Sequence, residues 1–256
     1  MNTLKSLGSF YGTDKVDHGY IDVYSELFES IKDEKNNVLE IGVWGGASIC
    51  MWSKYFSNSH IMGMDVPTEI KENTIYPFSV EQSAQLAASL GNVSLFFGDS
   101  GSRENFDEMS THLESITDRK EFDVIIDDGS HFQHDIMVGL GGLFKYLSSG
   151  GIYVIEDICT YEDLVNGSCW WGHMDEEHHF GGFHDDEEML AGSEVDVNNS
   201  VSYVMREFDK TRVMNSKYLT EEENTYLTEN IASFSHYPAK QGPIKCESEI
   251  VVLHKK

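Results

Sequence analysis

Two short apolar runs in this chain end in paired acids: Phe122–Ile126 runs into Asp127-Asp128, and Ile152–Ile155 into Glu156-Asp157. If these runs are adjacent strands, Asp128, Glu156 and Asp157 place three carboxylates side by side. Like charges that close raise one another's pKa values unless a cation neutralises them. Hard oxygen donors with no cysteine among them suit Mg²⁺ rather than zinc. His131, three residues after Asp128, opens the next helix beside such an ion. A hydroxyl is a poor nucleophile because its pKa lies far above neutrality. Coordination to Mg²⁺ lowers that pKa, and a nearby imidazole can then remove the proton. Asp128, Glu156 and Asp157 are therefore the candidate metal ligands and His131 the candidate general base.

What the activated oxygen would attack is suggested upstream, in Val38-Leu39-Glu40-Ile41-Gly42-Val43-Trp44-Gly45-Gly46-Ala47-Ser48. A buried strand breaks into glycines and a helical pattern follows, the opening unit of a nucleotide-binding α/β sheet. The glycines allow close backbone approach to a ligand, and the helix N-terminus offers it unpaired N–H groups. The dinucleotide spacing G-x-G-x-x-G is absent. An acid two residues before the first glycine, here Glu40, is instead a pattern of S-adenosylmethionine (SAM) enzymes. Asp65 follows the second strand, 23 positions past Gly42, where a ribose-binding acid falls in such units.

These residues need a scaffold, and the hydrophobic pattern supplies one. Strands are expected at Val38–Val43, His60–Met64, Asn92–Phe97, Phe122–Ile126 and Ile152–Ile155, with helices between them. That alternation predicts a parallel sheet with right-handed crossovers, whose ligands bind outside the carboxyl ends of the strands. Gly42, Asp65, Asp99, Asp127/Asp128 and Glu156/Asp157 all fall at such ends. Ahead of the first strand, Tyr20, Tyr24, Leu27, Phe28 and Ile31 recur at helical spacing, with Asp17 placed to cap that helix. Residues 79–90 read as a helix stopped by Gly91. Residues 158–199 break the rhythm with Trp170, Trp171, four histidines (His173, His178, His179, His184) and many acids, a lid-like insertion. A helix from Val201, a second at 221–229 with Thr220 and Glu223 as a capping box, and closing strands at Ile231–His236 and Glu249–His254 complete the chain.

Composition excludes several classes. A formal net charge of −26 across 256 residues repels nucleic acid, anionic membranes and polyphosphates, and no basic patch offsets it. Cys50, Cys159, Cys169 and Cys246 form no C-x-x-C pair, a spacing that argues against a disulfide framework and for a reducing cytoplasm. The N-terminus leads into no apolar signal segment and no run approaches membrane length, so a soluble intracellular protein is expected.

Four motifs in order, G-T-D-K (12–15), L-E-I-G-V-x-G-G-A-S (39–48), D-D-G-S-H-x-x-H (127–134) and Y-V-I-E-D (153–157), together resemble the macrolide deoxysugar O-methyltransferases of the mycinamicin and macrocin type. The likeness covers most of residues 8–160 and is similar, more distantly, to cephalosporin-hydroxylase-like sugar methyltransferases. It implies a Rossmann-like class I methyltransferase fold, α/β, with a mostly parallel seven-stranded sheet and helices on both faces. It implies a single domain over 1–256, with residues 1–35 as a helical cap. It also implies SAM and Mg²⁺ as cofactors, a sugar or glycoside hydroxyl as acceptor, and an oligomer. Carried over by position, Gly42, Gly45 and Gly46 would hold the methionine moiety of SAM, Asp65 the ribose diol and Asp99 the adenine edge. Glu40, Ser48, Asp127 and Thr13 complete the cofactor set, while Thr13, Asp14 and His18 would close over cofactor or acceptor. After Asp157 the chain departs from these enzymes. Two other classes share the sheet: an NAD-type oxidoreductase, which the glycine spacing disfavours, and a non-catalytic SAM- or metal-binding module.

Overall fold

The computed structural model describes residues 3–66, 85, 88–166, 197–238 and 248–256. Its centre is a seven-stranded sheet: β1 Asn37–Ile41, β2 His60–Asp65, β3 Val93–Phe97, β4 Phe122–Asp127, β5 Leu147–Cys159, β6 Ile231–Pro238 and β7 Ser248–Lys255. The strand order is β3-β2-β1-β4-β5-β7-β6. The first five strands run parallel, and β7 joins β5 and β6 antiparallel. This is the expected mostly parallel sheet with a closing hairpin.

Strand periodicity sorts the side chains into two cores. Leu39 and Ile41 of β1, Ile125 of β4, and Tyr153 and Ile155 of β5 face one core. It packs against α4 Phe106–Thr117, α5 Gln133–Leu143, α7 Val201–Thr211 and α8 Glu221–Asn230. Val38, Val124, Ile126, Ile152 and Val154 face the other, covered by α1 Leu4–Tyr11, α2 Tyr20–Phe28 and α3 Ala47–Tyr55. The second core is aromatic: the Trp52 ring meets Tyr24 and Phe28 edge-on at 5.2 and 5.9 Å. Such contacts fix the N-terminal helices against the sheet, each adding about 0.5–1.5 kcal/mol beyond burial.

Local chemistry accounts for the element ends. Thr220 and Glu223 make both bonds of the expected capping box at α8. Ser200 caps α7 by accepting from Tyr203 N. The expectation for Asp17 does not hold, because Asp17 closes a short 3-10 turn, Asp14–Val16, by donating its N–H to the Asp14 carbonyl. The residue before α2 is Gly19, at φ 78°, which brings no side-chain cap. Residues 148–151 form a register shift inside β5, where Phe122 faces Leu147 and Val124 faces Ile152.

The cysteine expectation also fails: Cys159 is disulfide-bonded, while Cys50 is free. Spacing hid that bond because proximity in space does not require proximity in sequence, and the argument for a reducing compartment loses its basis. Most of the 79–90 helix and residues 167–196, with Trp170, Trp171 and His173 to His184, lie outside the described residues. Among the described residues no helix is long and apolar enough to cross a membrane.

Candidate active site

The sheet parity that builds the two cores also sorts the acids. Glu40, two residues after Val38, and Glu156, two after Val154, point into the α1–α3 layer and are buried. Asp128, two after Ile126, ends on the same side. One cation meets all three. Lys15 Nζ lies 3.5 Å from Glu40 Oε1 and 2.9 Å from Glu156 Oε1, and it donates to Asp128 Oδ2. Burial alone would lower the Lys15 pKa. The pull of Asp128, Glu156 and Glu40 outweighs that and holds it well above the usual range, so the group is an ammonium.

Asp157 should point to the opposite face from Glu156, yet both reach the same helix. Tyr20 OH donates to Asp157 Oδ1 at 2.6 Å, and Tyr24 OH, one turn on, donates to Glu156 Oε1. Two features redirect Asp157. The β5–β7 register shifts between Ile155 and Ile158, and Asp157 adopts φ 51°. A bulge of this kind re-aims one side chain without ending the strand.

His131 is the second left-handed residue here, at φ 63°. Its Nε2 lies 4.0 Å from Asp157 Oδ2, and His18 Nδ1 lies 3.6 Å from Asp157 Oδ1. Strained non-glycine backbone persists only where surroundings hold it, and it concentrates at functional sites. Burial pushes the Asp157 carboxyl up, but His131, Tyr20, His18 and Lys15 together bring it below the ordinary carboxylate range. Donor atoms of Asp128, His131 and Asp157, one from each, lie within 4.8 Å of one another. The two carboxylates of this trio suit a hard divalent cation, with the imidazole beside them. Glu156 stands next to this trio, its Oε1 held by Tyr24 and Lys15.

The glycine turn borders the same rim. Gly42 adopts φ 87°, and a Cβ there would come within 2.0 Å of the Asp128 carbonyl oxygen. Only glycine lets β1 and β4 end so close together. Gly46 precedes α3 at φ 72°, and Gly45 lies between it and Trp44. Asp65 Oδ2 accepts from Val43 N at 2.9 Å and Trp44 N at 3.0 Å, tying the turn to β2. Trp44 itself is left-handed, at φ 38°, and more than half exposed.

Other predicted residues are turned inward. Glu40 Oε2 accepts from Ser48 Oγ at 2.7 Å and Oε1 from Trp52 Nε1 at 3.0 Å, so Glu40 and Ser48 join β1 to α3. Thr13 is buried, its carbonyl accepting from Val16 N. Asp99 Oδ1 accepts from Gly101 N at 2.8 Å and shapes the loop after β3. Asp127, of opposite parity to Asp128, faces the other core. Its Oδ2 and the Tyr153 hydroxyl are buried without a partner in hydrogen-bonding geometry, and burial pushes the carboxyl up to about 8. His134 bonds Asp135 through Nδ1 at 3.0 Å and meets the Tyr218 ring edge-on, a structural role.

The sheet of order β3-β2-β1-β4-β5-β7-β6, with β7 antiparallel, thus carries a glycine turn at the end of β1. A family model described as a methyltransferase domain matches residues 39–158. Over 99% of this chain, the fold superposes with TM-score 0.60 on 54% of the MycE methyltransferase from the mycinamycin biosynthetic pathway, at 21% identity. The fold is that of the class I methyltransferases. An O-methyltransferase from Bacillus cereus, solved in complex with S-adenosylhomocysteine (SAH), shares it at TM-score 0.53 and 12% identity, over all of this chain and 91% of that one. In sequence, mycinamicin VI 2''-O-methyltransferase of Micromonospora griseorubida is 28% identical over 166 residues. Demethylmacrocin O-methyltransferase of Streptomyces fradiae is 30% identical over the same length. Each match covers 61% of this chain and 36% of the relative, so the chain spans only about a third of those proteins. The resemblance read from the motifs thus extends to both sequence and fold.

Within this methyltransferase fold, sequence reasoning missed Lys15, Tyr20 and Tyr24. Lys15 is the last residue of the G-T-D-K motif, and Tyr20 and Tyr24 stood in an apolar stripe read only as core. Their signal was polar tips on a helix whose partner strands end in acids, because buried hydroxyls and ammonium groups need acceptors.

Proposed function

We propose that the chain is a SAM- and Mg²⁺-dependent O-methyltransferase acting on a hydroxyl of a sugar or glycoside. The observation that carries this reading is the Asp128–His131–Asp157 trio at the rim that the glycine turn borders. The relatives agree in chemistry. Those matched in sequence are named as O-methyltransferases of glycosylated natural products, and the MycE structure is in complex with Mg, SAH and mycinamycin VI.

On this reading Asp128 and Asp157 hold the ion, with Glu156 as the third acid of the set. Magnesium, when bound, supplies the positive charge that acidifies an acceptor hydroxyl. His131 takes the proton at Nε2, the ring atom that faces Asp157, whose negative charge favours the imidazolium that forms. The freed acceptor oxygen takes the methyl group as the methyl–sulfur bond breaks, leaving SAH. Gly42, Gly45 and Gly46 seat the methionine part of SAM, Asp65 the ribose and Asp99 the adenine edge. Glu40, Ser48 and Thr13 stiffen that seat through their internal bonds, and Asp127 does so by accepting from Gly129 N at Oδ1. Much of the rate then comes from alignment of oxygen, methyl and sulfur.

Residues 1–35 act as a helical cap, and the enzyme assembles as a homo-oligomer; the lid expected at 158–199 lies mostly outside the described residues. Neither nucleic acid nor membrane is a partner, in keeping with the net charge of −26. The compartment we propose is the cytoplasm, where the sulfonium cosubstrate is available. The Cys159 disulfide tests that assignment, because a reducing compartment would open it.

The deciding experiment is methyl transfer from radiolabelled SAM to a panel of rhamnosides and deoxysugar glycosides, with and without chelator, beside calorimetric titration with SAH and NAD. SAH binding, no NAD binding, and transfer abolished by chelator and restored by Mg²⁺ are expected. Tight NAD binding, or transfer indifferent to chelator, would overturn the proposal.

A further inference from the structure

Lys15 is the largest departure from what an ion site needs. A cation seated between Asp128 and Asp157 has, just behind it, an ammonium that already donates to Asp128 and lies 2.9 Å from Glu156. Like charges a few ångströms apart in a partly dry site repel strongly, since screening by water is weak there. The ammonium is also not free to leave. It is almost wholly buried, at 1% exposure, on a 3-10 turn bounded by left-handed Gly12 and Gly19. The residue therefore does two things at once. It draws Glu40, Asp128 and Glu156 together in a dry layer whose burial pushes all three carboxyls up, and it removes attraction that a second cation would otherwise feel.

We propose that Lys15 is a positioning residue that acts as a built-in competitor of the metal, holding the affinity of the Asp128–Asp157 site for a divalent cation well below what its carboxylates alone would give. This rests on the reading of those residues as the ion site. The consequence is a metal that exchanges readily rather than one locked into the fold. Without Lys15, no ammonium would oppose a divalent ion between Asp128 and Asp157.

The test is titration of the full-length protein with Mn²⁺, followed by the loss of the free-ion paramagnetic resonance signal, so that no acceptor is needed. Lys15→Met is expected to bind Mn²⁺ at least tenfold more tightly than the native chain, and Lys15→Arg, which keeps the charge, within threefold of it. Should Lys15→Met fail to fold, Lys15→Gln, which keeps a donor for Asp128, carries the same expectation. Asp157→Asn separates the two layers of the argument. If it weakens Mn²⁺ binding tenfold or more while the Lys15 variants bind no tighter than native, the competitor role is overturned and the ion site stands. If Asp157→Asn binds as the native chain does, the ion site itself is overturned.

Discussion

Buried acids stand on both sides of β5, and the two groups are built differently. On the antiparallel side, Glu249 of β7 is answered group for group: Oε1 meets Arg206 Nη2 at 3.1 Å and Oε2 meets His236 Nε2 at 2.7 Å. On the parallel side, Glu40, Asp128 and Glu156 share a single ammonium and Asp157 stands beside them, with two histidines and two tyrosine hydroxyls at the margin. An acid matched by its own guanidinium and imidazole partners is complete as folded and holds the hairpin to α7. An acid cluster with surplus negative charge is complete only with something positive added, which is what a binding site requires. Surplus charge, rather than burial alone, separates site from scaffold in this molecule.

The contrast can be broken most severely at His131. His131→Ala should lower turnover about 10³-fold, the usual contribution of a general base, with SAH affinity kept within about threefold. Steady-state rates beside calorimetry check this, and an equal loss in both would recast His131 as a binding residue. Asp127 offers the next largest effect. With its carboxyl raised to about 8 in the folded chain, the native state holds a proton that the unfolded chain releases near pH 4. Native stability therefore falls as pH rises from about 4 to 8, and is level above that. Asp127→Asn removes the titration, so urea melts should show the variant gaining about 2–4 kcal/mol on the native chain between pH 5 and 8. Parallel melts at the two pH values would refute this.

On the scaffold side, Glu249→Ala leaves His236 without its carboxylate and Arg206 with only Glu162, 3.5 Å away, and should cost about 1–2 kcal/mol in unfolding free energy. SAH and Mn²⁺ affinities should stay unchanged, and a shift in either would erase the distinction between the two sides of β5. The smallest effect is expected of Tyr20→Phe, which removes one hydrogen bond to Asp157. About 1–2 kcal/mol of stability and a few-fold change in Mn²⁺ affinity should follow.

The expected architecture was legible because each strand is a short apolar run closed by a polar or glycine residue, and β1 to β4 were found within about two residues of their observed limits, whereas β5, expected at Ile152–Ile155, spans Leu147–Cys159. The strand-end rule also brought Asp128 and His131 to one rim with Asp157. Even the parity that separates Glu40 and Glu156 from Asp127 is written in the alternation of β1, β4 and β5. Glu40 and Ser48 were harder to read. A glycine turn announces a ligand, but nothing in its spacing tells which nearby side chains bond one another instead.

Apolar periodicity and strand-end acids, then, determined the sheet, its order of elements and the rim where chemistry belongs, because those depend on which face of each element must leave water. Tertiary structure alone decided which cation meets the acids, since Lys15 and Asp128 lie 113 positions apart. It also decided that Asp157 turns beside Glu156, through a bulge set by pairing with a strand some 90 residues later, and that Cys159 is oxidised. Those outcomes depend on distances between segments that sequence spacing does not encode.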